Sequence, residues 1–320
     1  MGVERMTDKS LSKAAVSGEL LITALGSRLE KDKPLAPLTS YNTGGPARFF
    51  VSAESAEDVA LAVATAQRGG MRWVVIGGGS NILVSDAGYD GLVIHVVVRG
   101  LAVEDETTVR AGAGEPLQAL VDFATDNSLS GMEFAAGIWG TVGGAVYGNA
   151  GAYGGDMAGV LQKLTLVDGE GSIREVEAEY CRFGYRDSYL KKTGEIVINT
   201  WVSLKKGDPN LIRARVAEIL HSRDGKHPTT GHSAGCFFKN IPDPSQPFGK
   251  LPAGKLLEEI GAKGMQVGGA CVYDKHANII VNAGGASSKD IRRLADILKK
   301  KVRDRFGVTL EEEVIQIGDV

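Results

Sequence analysis

Residues 73–81 read Trp73-Val74-Val75-Ile76-Gly77-Gly78-Gly79-Ser80-Asn81. The four apolar residues make a buried strand, and three glycines follow it with no spacer. Backbone that carries no Cβ atoms lets N–H groups converge on an anion, and Ser80 and Asn81 add side-chain donors. A phosphate or pyrophosphate is the natural guest, with a plain tight turn as the alternative. The run is not the dinucleotide fingerprint G-x-G-x-x-G, because Ile82 stands where the third small residue is needed. No acidic residue closes a second strand about 20 residues further on. NAD held in the Rossmann manner is therefore disfavoured.

Working outward, Arg48-Phe49-Phe50-Val51 reads as a strand. Ser55-Ala56-Glu57-Asp58 resembles a capping box opening a helix that runs to about Gln67 and stops at Gly69-Gly70. Residues 48–76 thus form a β-α-β unit that feeds the glycine run. Before it, residues 14–30 pattern as a helix on Leu20, Leu21, Ile22, Leu25 and Leu29. After it come strands over roughly 92–98 and 107–111 and a helix over roughly 116–127. Asp168-Gly169-Glu170-Gly171 turns a hairpin; a strand over 195–204 and a helix over roughly 210–222 follow. The composition shifts at Arg223–Pro228, as at a domain boundary. Beyond it the pattern gives a helix over 253–260, strands over roughly 270–273 and 278–282, a helix from Ser288 to Arg305 and a final strand from Val308 to Ile317.

Glycine supplies 43 of the 320 residues, nearly twice the roughly 7% of an average protein. No G-x-y period exists, and valine, isoleucine and leucine surround the glycines, so neither collagen nor disorder accounts for them. A net charge of −3 gives no electrostatic case for nucleic acid or a membrane surface. No apolar run approaches the roughly 20 residues of a membrane span, and the N-terminus lacks a signal-peptide core. Three widely spaced cysteines, Cys181, Cys236 and Cys271, make no disulfide framework, so a reducing cytoplasm is expected. The basic run Lys299–Arg305 reads as a solvated face near a helix C-terminus.

Nine glycines fall between Gly131 and Gly155, interleaved with Phe134, Trp139, Tyr147 and Tyr153. Small residues let backbone lie flat on a planar ligand, which suggests a large flat cofactor rather than tight packing alone. Arg186, beside Tyr185, could hold a carboxylate bidentately or pair with Asp187. His227, His232, Cys236, Cys271 and His276 match no tight zinc spacing. Cys236 is a reactive thiol on a loop or an inert buried one. Gly249 to Lys255 has Walker A spacing, but Leu256 replaces the magnesium-binding hydroxyl and Pro252 interrupts the loop. In Glu311-Glu312-Glu313, strand alternation puts Glu311 and Glu313 on one face.

Six segments together resemble the UDP-N-acetylenolpyruvoylglucosamine reductase family. They are Tyr41–Ala47 (YNTGGPA), Gly77–Val84 (GGGSNILV), 131–155, Phe183–Ser188 (FGYRDS), Gly235–Asn240 (GCFFKN) and Leu310–Gly318 (LEEEVIQIG), in the family's order. The resemblance implies an α+β fold: a two-part FAD-binding region of the vanillyl-alcohol-oxidase/PCMH type and a C-terminal α+β substrate-binding domain. The divisions expected are a helical extension over 1–35, FAD subdomains over 36–105 and 106–222, and a substrate domain over 223–320. The absence of an inserted tyrosine-bearing loop after Arg186 looks like the type II branch.

By the same resemblance, the chain is a cytoplasmic monomer that binds FAD non-covalently and takes NADPH as hydride donor. Its reaction is reduction of the enolpyruvyl ether of a UDP-sugar to the lactyl ether, in peptidoglycan synthesis. The implied catalytic residues are Arg186 for the developing enolate charge, Glu313 in assistance and Cys236 as proton donor to C2. The cofactor would lie on Tyr41, Asn42, Thr43, Gly77, Gly78, Gly79, Ser80, Asn81, Ile82, Gly137, Gly140, Thr141, Gly143, Gly144, Asn149, Gly151 and Ala152. Tyr185, Arg186, Lys239 and Asn240 would bind substrate. Cys236 replaces the serine usual in the family; its ordinary pKa near 8.5 makes it the easier acid and exposes it to oxidation and alkylation. Two rivals remain: a flavin oxidase of the same cofactor fold, and a non-catalytic nucleotide- or metal-binding regulator.

Overall fold

A computed structural model of the chain describes residues 18–228, 232–246 and 249–320. Residues 14–17 of the expected first helix lie outside them. The helix is seen over 18–25, where Leu21 and Leu25 are buried, and it stops there. A short turn, Gly26–Arg28, and strand β1 (Glu30–Pro34) take the place of its expected end. β1 pairs antiparallel with β2 (Pro46–Ala53), so the stretch before residue 35 is not purely helical. Its sequence, Glu-Lys-Asp-Lys-Pro, lies on an exposed sheet edge and carries no apolar alternation for a pattern to reveal.

The β-α-β unit is present with one addition. The Ser55 hydroxyl accepts from the Asp58 N–H at the start of the helix Ala56–Gly69, and Gly70 closes it at φ 63°. β2 and β3 (Trp73–Ile76) are parallel but do not touch. β5 (Tyr89–Val96) lies between them and pairs with both, in the order β1-β2-β5-β3. β4 (Ile82–Val84) leaves the glycine run.

A second sheet of five antiparallel strands is built from β6 (Leu101–Val103), β7 (Thr108–Gly112), Leu161–Val167, Ile173–Glu177 and Ile196–Ser203. Its hairpin turns at Asp168, whose carboxylate accepts from the Glu170 and Ser172 N–H groups. Helix Val142–Gly148 packs on it, and helices Leu117–Asp126 and Pro209–Asp224 pack on each other. One continuous core runs from Leu21 to Ile219 and covers both sheets, leaving no seam at 105/106.

The C-terminal sheet is antiparallel: Ser233–Cys236, Ile279–Asn282, Ala270–Val272, Gln266–Val267. Helix Ser288–Phe306 covers it with Ile291, Leu294, Ala295, Leu298 and Val302, an unbroken 3.6-residue stripe. The single strand expected from Val308 to Ile317 is not formed. Only Ile315–Ile317 is a strand, parallel to β4, while Glu312 makes one isolated bridge to Phe238. Three successive glutamates take three different partners, and that breaks the ladder. The core of this region also takes in Tyr41 and Leu83, and Ile317 packs with Leu35, Phe50 and Val93 of the first sheet region.

Candidate active site

A cavity of about 990 Å³ opens where the three sheets meet. It is walled by the loop after β3, the 137–152 segment, the turn at 185–186, the 233–240 segment and residues 313–317. Eighteen of the implied catalytic and binding residues line it: Gly77, Gly78, Gly79, Ser80, Asn81, Ile82, Gly137, Gly140, Thr141, Gly143, Gly144, Gly151, Ala152, Tyr185, Arg186, Cys236, Asn240 and Glu313.

The glycines of the two loops serve each other before any ligand. A Cβ on Gly79 (φ 62°) would lie 1.9 Å from the Leu38 carbonyl oxygen, and one on Gly77 would lie 2.5 Å from Thr141 Oγ1. One on Gly140 would strike Ser80 Oγ, which donates to the Trp139 carbonyl at 2.8 Å. Close packing on Thr141, Leu38 and Ser80 therefore accounts for Gly77, Gly79 and Gly140, where approach to a phosphate was expected of the first two and to a flat cofactor of the third. Gly144 and Gly148 differ. They lie one turn apart on the helix Val142–Gly148, both on the cavity wall, and a Cβ on Gly148 would meet nothing within 4 Å. Here bare backbone does face open space.

At one end of the cavity the three expected catalytic side chains converge. Arg186 Nε lies 2.9 Å from Glu313 Oε1, and Arg186 Nη2 donates to the Gly151 carbonyl at 2.7 Å. Burial pushes the Glu313 carboxyl above its ordinary value, against the pull of Arg186, Lys191 and Lys239. Cys236 sits beside this pair, its thiol pushed up to about 11 by burial and then by the Glu313 charge, with Arg186 and Arg223 opposing. The sequence set this thiol at its ordinary value near 8.5; burial makes it a weaker acid than that and holds the proton more firmly. Tyr185 Oη accepts from the Asn240 N–H at 3.4 Å, and Lys250 Nζ stands 3.6 Å from the Tyr185 ring centroid.

Five expected contacts lie off the cavity wall. Tyr41 is fully buried in the C-terminal core; Asn42 is exposed, and Thr43 is buried behind the glycine loop. Their segment braces that loop from outside, the Ser40 N–H donating to the Gly79 carbonyl at 3.0 Å. Asn149 caps the helix Val142–Gly148 at φ 45°. Its amide spends its groups on the Gly184 carbonyl, Asp156 and the Ala158 N–H. Lys239 pairs with Glu311 at 3.6 Å near the rim.

Other residues on the wall were not read from the sequence. Lys191 and the half-buried Arg223 line it; Arg223 Nε donates to the Gly137 carbonyl at 2.9 Å. Gly194 and Ile196 line the wall as well. None of these has a spacing signal, because tertiary packing alone brings them in. Of the histidines and cysteines weighed against zinc spacings, His232 is exposed and Cys271 lies on a strand away from the cavity wall. Among the described residues no group of three His, Cys, Asp or Glu could hold a metal ion, and no helix is long and apolar enough to cross a membrane.

The bare backbone at Gly144 and Gly148, the cavity's size at the upper end of the roughly 300–1,000 Å³ of ligand pockets, and its largely apolar lining fit a long, partly planar dinucleotide such as FAD. Comparisons with known proteins agree. Residues 47–177 match an FAD-binding domain family, and residues 227–317 match the C-terminal domain of UDP-N-acetylenolpyruvoylglucosamine reductase. The UDP-N-acetylenolpyruvoylglucosamine reductase of Geotalea uraniireducens is 40% identical over 299 residues, 93% of this chain and 97% of that protein. That of Solibacter usitatus is 39% identical over 299 residues, 89% and 95%. The crystal structure of UDP-N-acetylenolpyruvylglucosamine reductase from Thermus caldophilus superposes with a TM-score of 0.74 at 34% identity, covering 91% of this chain and 98% of that one. With relatives of this identity aligned over nearly its whole length, the chain belongs to the UDP-N-acetylenolpyruvoylglucosamine reductase family.

Proposed function

We propose that this chain reduces UDP-N-acetyl-3-O-enolpyruvylglucosamine to UDP-N-acetylmuramate, with NADPH as electron source and FAD held non-covalently in the cavity. The observation that carries the reading is the convergence of Arg186, Glu313 and Cys236 at one end of a glycine-walled cavity. FAD, held along the glycine-walled cavity, would supply the hydride chemistry at C3 of the enolpyruvyl group, with NADPH as the electron source.

Negative charge then develops at C2 and its carboxylate, and Arg186 would stabilise it. Two of its guanidinium nitrogens are fixed by Glu313 and Gly151, which pre-orients the remaining N–H donors before charge appears. Glu313 holds the Arg186 guanidinium in place, and burial raises its carboxyl, which favours its taking up a proton as negative charge develops nearby. Cys236 carries its proton at neutral pH and delivers it to C2; water restores it afterwards. Tyr185, Asn240 and Lys239, grouped toward the rim, would hold the UDP portion.

The reading makes the enzyme a cytoplasmic monomer. Three free cysteines, Cys181, Cys236 and Cys271, fit a reducing compartment. The test is an anaerobic absorbance titration of purified protein. A flavin spectrum bleached by NADPH and restored by the enolpyruvyl substrate is expected. Bleaching without restoration would overturn the substrate assignment, and a colourless protein would overturn the cofactor.

A further inference from the structure

Arg186 sits in a backbone conformation that arginine rarely takes. Gly184 and Asp187 exchange two backbone hydrogen bonds of 3.0 and 3.3 Å, closing a tight turn with Tyr185 and Arg186 at its corners. Arg186 has φ 53°, a position where such turns ordinarily carry glycine or asparagine. A side chain with a Cβ pays for that conformation unless its surroundings fix it.

Those surroundings include one specific device. Lys191 Nζ donates to the backbone carbonyl of Arg186 at 2.6 Å. Its stem starts from the short helix Leu190–Thr193, and its ammonium passes 5.9 Å from the Tyr147 ring centroid, with Asp187 at 4.0 Å. The side chain is 26% exposed and lines the same cavity. A solvent-facing lysine seldom keeps one geometry, because holding it costs rotamer entropy. Here a helix, an aromatic face and a strained carbonyl fix it.

We infer that Lys191 is a positioning residue for the reaction: its ammonium clamps the Arg186 carbonyl, holds the turn in its left-handed form, and so aims the guanidinium between Glu313 and Gly151. This rests on the reading of Arg186 as the group that stabilises developing charge. Lys191 acts through Arg186 and does not touch substrate. Its effect therefore falls on the rate of reduction of the enolpyruvyl group more than on the binding of substrate.

The experiment is a double-mutant cycle on the FAD-loaded enzyme. Lys191→Met should lower kcat by about 10- to 100-fold, the scale of a misplaced catalytic group, with KM shifting far less. Lys191→Arg, which keeps a cationic donor, should restore most of the loss. In an Arg186→Ala background, Lys191→Met should cost nothing more, because the group it positions is gone. A structural readout accompanies the kinetics: the Arg186 Nε–H resonance, identified by its absence in Arg186→Lys, should lose its protection from solvent exchange in Lys191→Met. Should the methionine variant not fold, Lys191→Gln serves, its shorter neutral amide giving an intermediate loss.

Full kcat with a protected Arg186 resonance in Lys191→Met overturns the clamp. So does a loss that simply adds to that of Arg186→Ala, which would mean that Lys191 meets substrate itself. An Arg186→Ala enzyme that reduces substrate at the wild-type rate instead removes the functional reading beneath it.

Discussion

The side-chain amide of Asn81 donates a 3.1 Å hydrogen bond to the backbone carbonyl of Glu313, across 232 positions of sequence. The Asn81 carbonyl in turn accepts from the Ile315 N–H at 3.0 Å. The loop read as a phosphate cradle thereby also fixes the backbone that carries Glu313. Asn81→Ala should cost about 1 kcal/mol of stability, the net value of one hydrogen bond, and slow reduction of substrate. Asn81→Asp should be worse, since it sets a carboxylate against a carbonyl oxygen. Urea midpoints and substrate-driven flavin reoxidation measure the two effects; unchanged reoxidation in both variants would separate the loop from Glu313.

In the proposed reaction Cys236 is the acid, and burial helps it keep its proton. With its thiol pushed up to about 11, protonation of C2 should hold steady from pH 7 to 9 and fail only as pH approaches that value. An ordinary thiol would already lose activity near pH 8.5. Alkylation by iodoacetamide should be slow at neutral pH for the same reason, since the thiolate is the nucleophile. Cys236→Ala should abolish substrate turnover and leave flavin reduction by NADPH in place, whereas Cys236→Ser should keep substantial activity. A pH profile breaking near 8.5 would show the thiol is less buried than its surroundings imply.

Two glycine-to-alanine changes should behave in opposite ways. Gly148→Ala adds a Cβ that meets nothing within 4 Å, at the end of a helix. It should leave the fold intact, up to about 1 kcal/mol more stable, and weaken FAD binding. Gly79→Ala puts a Cβ 1.9 Å from the Leu38 carbonyl oxygen at φ 62°, and should yield little folded protein. Melting temperature and flavin content of the purified variants distinguish them.

His227 should make the protein acid-sensitive. Burial, then the charges of Arg223, His276 and Lys226, lower its pKa to about 4, against about 6.5 in an unfolded chain. Between those values the unfolded chain binds the proton and the folded one does not. Stability therefore falls as pH drops from about 6.5 to about 4, and His227 contributes nothing further to the slope below that. His227→Gln should flatten urea midpoints over this window, with the residual slope carried by His276, which is lowered as well. Identical slopes would remove His227 from the account.

Most elements could be read in the sequence where one face is apolar: the helix Ser288–Phe306 and the hairpin at Asp168 fall within a residue or two of where periodicity and turn chemistry place them. β1 could not, since Glu30 to Pro34 carries no buried face. The break after Val308 was hidden because the partners of Glu311, Glu312 and Glu313 lie on three different elements: Lys239, the pair Arg292 and Lys299, and Arg186. The site was legible as motifs, yet the motif neighbours Tyr41 and Asn149 serve the scaffold. Lys191 and Arg223 reach the cavity from segments whose local sequence says nothing of it. Backbone proximity in sequence is a poor guide to which side of a loop a side chain takes.

The parallel pairing of Ile82–Val84 with Ile315–Ile317 has a kinetic side. A contact that closes so long a stretch of chain pays its loop entropy before it gains anything, and such contacts form late. The continuous core from Leu21 to Ile219 needs no part of it. During refolding, then, the nucleotide-holding region should consolidate first, and the carboxylate at Glu313 should arrive last. An early species would carry flavin without being able to use it.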